Sequence, residues 1–177
     1  MKNVIFLAAL CSSVGFCCTP AMASNKEIDF FGTVVNRPCS IEPQSVDQLV
    51  DMGTIVIKTL YRYEHTPPVP FSIKLTDCKT SVFNAVTVTF SGTEDPILPG
   101  KLAINNGANG AAIALFDSKG ASIHLNQPTE AIALQTGAGA TTLSFSAYVQ
   151  GHPSAINKKT ITEGEFSSVA NFVLTYQ

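Results

Sequence analysis

Apolar and polar side chains alternate over short runs along most of this chain. Phe71-Ser72-Ile73-Lys74-Leu75-Thr76, Val86-Thr87-Val88-Thr89-Phe90-Ser91 and Leu143-Ser144-Phe145-Ser146-Ala147-Tyr148-Val149 each place every second residue on one apolar face. Successive side chains of a β-strand point to opposite faces, so a period of two predicts strands with one buried side. The last such run gathers Ala170, Phe172, Leu174 and Tyr176 on one face. Ala111 to Phe116 is apolar on both faces and predicts a fully buried strand. Turn chemistry separates the runs, at Pro67-Pro68, Asp95-Pro96, Pro99-Gly100, Asn106-Gly107, Asn109-Gly110, Lys119-Gly120 and Gly137-Ala138-Gly139. No long stretch has a helical period. Many short, regularly punctuated strands predict an all-β sandwich or barrel.

The beginning of the chain follows a different pattern. Met1-Lys2-Asn3 is a short positive start, Val4 to Phe16 is an uncharged apolar run, and Ala21-Met22-Ala23 is a small-x-small site. Those three parts predict a secretory signal peptide over residues 1–23, cleaved after Ala23. The apolar run falls short of the roughly 18–20 residues a bilayer span requires. No second apolar span follows, so no membrane anchor is expected in the mature chain. After the polar lead-in Ser24-Asn25-Lys26-Glu27, strand alternation resumes, with Ile28, Phe30, Gly32 and Val34 on one face. Pattern alone allows two readings of this segment. It is the first strand of the sandwich, or it is a strand meant for a neighbour, since β-strand addition uses such an extended segment.

Composition narrows the function. Eleven basic residues stand against 13 acidic ones without a basic patch, which argues against a nucleic-acid partner. Three of the five cysteines lie within the predicted signal, leaving Cys39 and Cys78. Two cysteines in an exported chain predict one disulfide. It would close a loop of about 40 residues and contribute about 4 kcal/mol in the chain-entropy model. His65, His124 and His152 are scattered, so no metal site is expected. Glu94-Asp95 lies among turn residues and reads as solvated loop, as does Glu163-Gly164-Glu165. There is no nucleophile elbow, phosphate loop or dinucleotide fingerprint. The expectation is a non-enzymatic protein without cofactors.

Several segments at their spacings resemble pilins of the chaperone–usher pathway, of the type 1 and P-pilus kind. Gly32-Thr33-Val34-Val35-Asn36-Arg37-Pro38-Cys39 is similar to the stretch joining donor strand to first cysteine. Val50-Asp51-Met52-Gly53, Phe71 to Cys78 and Val86 to Glu94 resemble later elements of these subunits. Gly164, fourteenth from the end, and the penultimate Tyr176 resemble the family's chaperone-recognition signature. Asp29-Phe30-Phe31-Gly32, Asn36-Arg37-Pro38-Cys39, and Gly92-Thr93-Glu94 followed by Leu98-Pro99-Gly100 carry a closer likeness to minor adaptor subunits of P pili.

The resemblance implies an incomplete Ig-like β-sandwich of six strands that lacks its last one. It implies a donor-strand extension at 24–35, with Ile28, Phe30, Gly32 and Val34 filling a neighbour's groove, and a pilin domain at 36–177. It also implies a groove edge recognised by a chaperone at Gly164, Ala170, Phe172, Leu174 and Tyr176. The partners would be a periplasmic chaperone, an outer-membrane usher and neighbouring pilins. The protein would be exported to the periplasm and then built into an extracellular fibre. A minor adaptor pilin is the first expectation; a major rod pilin or a receptor-binding tip adhesin are the alternatives.

Overall fold

The computed structural model describes residues 38–135 and 140–177. The predicted signal, the extension with Ile28, Phe30, Gly32 and Val34, and the Gly137-Ala138-Gly139 turn lie outside them. Among the described residues, nine strands and three short helices follow one another: β1 (Ser40–Ile41), α1 (Pro43–Val46), α2 (Ile57–Tyr63), β2 (Val69–Thr76), β3 (Ala85–Gly92), β4 (Leu102–Ala103), β5 (Ala111–Asp117), β6 (Ser122–Ile123), β7 (Ile132–Ala133), β8 (Thr141–Gly151), α3 (Pro153–Lys158) and β9 (Ala170–Tyr176).

The strands form two antiparallel sheets. The larger runs β1-β2-β8-β5-β4, with β6 also paired to β5. The smaller runs β7-β3-β9. In the centre of the larger sheet, β8 alternates as its sequence predicts, with Leu143, Phe145, Ala147 and Val149 buried. Ile73 and Leu75 of β2 and Ile113 and Leu115 of β5 share that inner face. Val86, Val88 and Phe90 of β3 oppose them from the other sheet. Phe90 meets Phe145 edge-on at 5.2 Å and Phe71 edge-on at 6.2 Å, the crossing that opposed ring quadrupoles favour. The outer side of β5 is also closed, since Ala112 and Ala114 are fully buried. Tyr148, cross-strand from Ala114, stacks between Phe116 and His65 there.

Cys39 and Cys78 are joined by a disulfide, with their Cα atoms 4.1 Å apart and both residues buried. The bridge fastens the chain just before β1 to the end of β2. The helices were not legible as a helical period. In α2, Ile57, Leu60 and Tyr61 have the spacing, but over seven residues only, and the helix is held by burial of Leu60 in the core. One expectation is corrected. Asp95 is not solvated loop but about 5% exposed; its Oδ1 accepts the amides of Ile97 and Leu98, and its Oδ2 lies 3.0 Å from His152 Nε2.

Candidate strand-accepting groove

The smaller sheet leaves the sandwich open along β9. Where the inner residues of β8 are fully buried, Phe172, Leu174 and Tyr176 are half-buried and Ala170 is exposed. Beside them runs a long apolar groove in two contiguous parts of about 850 and 650 Å³ that share Leu49, Val50, Met52, Ile113 and Ser168. Core side chains form its floor, among them Ile73, Phe90, Ile113, Leu115 and Val149.

One bank of the groove is β9 and the segment that leads into it. Gln177 and Ala85 exchange both backbone hydrogen bonds, at 2.9 and 3.2 Å. In an antiparallel ladder the inward-bonding residues alternate, so Thr175, Val173 and Asn171 direct their amide groups at β3. Ala170, Phe172 and Leu174 direct theirs outward, and β3 is the sole strand paired to β9 among the described residues. The side chains facing the core and the backbone groups facing outward thus belong to the same residues. A strand laid there would find both apolar contacts and main-chain partners.

Upstream, residues 162–168 continue this bank along the turn at 105–109, with bridges Asn105–Ser167 and Asn109–Thr162. Gly164 is required by a close approach. A Cβ on it would lie 2.7 Å from Ala108 N and 2.8 Å from Gly107 C, both backbone atoms. Gly92 plays a similar part at the start of β9, where a Cβ would sit 2.6 Å from Val169 O. Of the residues expected at the groove edge, Gly164, Ala170 and Phe172 line the groove, and Leu174 and Tyr176 carry the same face onward against the core. The ring of Tyr176 lies 6.5 Å from that of Phe83.

The opposite bank is the extended stretch 47–56. It belongs to neither sheet, and among the described residues the amide groups of 48–52 and 54–55 have no hydrogen-bond partner. Gly53 N–H donates to Asp51 Oδ1 at 2.8 Å, which shapes the turn at its centre. Leu49 is 95% exposed and Val46 53%, large apolar residues standing at the groove's rim. Sequence reasoning saw Val50-Asp51-Met52-Gly53 only as a family likeness, because a bank without a ladder has no periodicity of its own.

These features define a β-sandwich subunit with an open site for one added strand. The family model described as Fimbrial protein matches residues 28–177, and the chain belongs to this family, the pilins of chaperone–usher fibres. Its family and fold are those of structural, non-catalytic subunits that are exported and assembled outside the cell. The chain is 34% identical over 177 residues to the Fimbria A protein of Serratia marcescens, covering all of this chain and 99% of that one. It is 33% identical over 160 residues to the fimbrial adapter PapK of Escherichia coli, covering 85% and 88%. The crystal structure of the P pilus rod subunit PapA superposes with a TM-score of 0.69 at 29% identity, over 80% of this chain and all of that one. The closer likeness to an adaptor, PapK in particular, does not single itself out against relatives of equal identity.

Proposed function

We propose that the groove takes one extended strand from another chain. That strand would hydrogen-bond to the outer edge of β9 on one bank and to residues 48–55 on the other, while alternate side chains enter the apolar floor. The observation that carries this reading is a hydrophobic groove bounded, among the described residues, by the outward-facing main chain of Ala170, Phe172 and Leu174 on one side and by the stretch 48–55, which belongs to neither sheet, on the other. Such an edge templates aggregation unless covered. A periplasmic chaperone would lend the first strand, with Gly164, Ala170, Phe172, Leu174 and Tyr176 as the recognised bank. At an outer-membrane usher, the extension of the next subunit would replace it. In this chain, cleavage after Ala23 would leave residues 24–35 as that extension, with Ile28, Phe30, Gly32 and Val34 turned into a neighbour's groove, and 36–177 as the pilin domain.

Within the fibre we read the chain as a repeated shaft subunit rather than a single adaptor. The likeness to a rod subunit over that protein's whole length supports this. Deleting residues 24–35 is the test of strand exchange. The shortened subunit should fold with its chaperone and fail to enter fibres. If it unfolds instead, residues 24–35 are an ordinary strand of this domain. Immunogold labelling of fibres tests position: label along the shaft supports the repeated subunit, and a single spot overturns it.

A further inference from the structure

Among the described residues, the mouth of the groove carries charge of one sign. Asp47 and Asp51 stand on one bank and Glu163 and Glu165 on the other, all four exposed, and no described lysine, arginine or histidine lines either part. Composition does not account for this, since the whole chain has 11 basic residues against 13 acidic. A cleft with an apolar floor and walls of one charge concentrates its field at the entrance. Exposed carboxylates are screened over about 8 Å at physiological ionic strength, so they act mainly on the rate of entry.

We infer that the groove selects its guest strand by charge as well as by apolar shape, and that the strand favoured to enter it first is a capping strand from a different kind of chain, with cationic residues at its solvent-facing positions. This rests on the strand-accepting reading above. A strand in the groove turns every second residue inward and leaves the others near the rim. The extension of a second copy matches the apolar floor with Ile28, Phe30 and Val34, but its polar face brings Glu27 and Asp29 to the carboxylates. Lys26 is the one side-chain cation between residues 24 and 35. Like charge therefore slows spontaneous self-addition, and a basic capping strand enters first. Repulsion of the wrong partner is an ordinary means of specificity.

The experiment uses the subunit purified with its co-expressed periplasmic partner and synthetic peptides spanning residues 24–35. The wild-type peptide is compared with Glu27→Lys/Asp29→Lys, which leaves the apolar face untouched. At low salt the lysine peptide should displace the partner about tenfold faster, the lower range of electrostatic steering. The advantage should shrink at 1 M salt and on the subunit carrying Glu163→Gln and Glu165→Gln. Equal rates at low salt, or an advantage indifferent to salt and to the rim variant, overturn the charge selection while leaving strand acceptance standing. If neither peptide enters at any salt concentration, strand acceptance itself fails.

Discussion

His152 Nε2 lies 3.0 Å from Asp95 Oδ2, and each residue is about 5% exposed. His152 closes β8 and opens α3, and its own N–H donates to Gly110 O. Asp95 sits in the connection from β3 to β4. The pair therefore fastens the connection from β3 to β4 onto the junction of β8 and α3. Nearby, burial holds the Lys101 ammonium below its usual pKa, partly offset by Asp95, and its Nζ donates to Gln150.

Removing one member leaves the other buried without its partner. His152→Ala or Asp95→Ala should cost about 1–3 kcal/mol, the range for leaving a buried polar group without its hydrogen-bond partner. Urea unfolding of the chaperone-bound subunit measures this. A loss below about 1 kcal/mol in both variants would show that the pair is incidental to stability.

Gly164→Ala should deform the bank that Gly164 lines. The added methyl group would press on the backbone of Gly107 and Ala108, which cannot rotate away. The bond from Ala108 N–H to Glu165 O, 3.1 Å long, is the first expected to break. Overpacking of this kind costs about 1–3 kcal/mol. Strand-exchange rate and melting temperature should both fall, and an unchanged melting temperature would count against a packing role for this glycine.

Tyr176→Ala should weaken chaperone capture. The ring is half-buried at the end of β9 and packs against the core beside Phe83. Partial loss of an aromatic side chain from a core costs about 2 kcal/mol. Co-purification with the chaperone reads the effect; wild-type yield of complex would refute it.

Replacing both Cys39 and Cys78 by serine should cost about 4 kcal/mol in the chain-entropy model. The residues are 39 apart in sequence, so the unfolded chain regains a long loop. Periplasmic abundance should drop, and mass spectrometry of the unreduced wild type should detect no free thiol.

The strands were legible because alternation is local. The run from Leu143 to Val149 predicts its own burial, and Ala170 to Tyr176 matches β9 residue for residue. The groove was not legible from pattern. A strand beside an open position alternates like a strand beside a filled one, so only the family likeness pointed to it. Asp95 was misread for a related reason. Its neighbours Pro96, Pro99 and Gly100 indicate a turn, but its burial depends on His152, 57 positions away. Asp95 followed by Ile97 and Leu98 was the available signal, since an aspartate that caps two following amides need not face solvent.

The position of the disulfide bears on how a fibre would carry tension. If a neighbour grips residues 24–35, a pull reaches the domain through Pro38 and Cys39. Without the bridge it would act on β1, which is held to β2 by two residue pairs and could peel from one end. The covalent link passes the load to the end of β2, whose seven paired residues lie along β8 in the centre of the larger sheet. There the hydrogen bonds are loaded together in shear, so reduction should lower the force at which single fibres extend without altering the fold at rest.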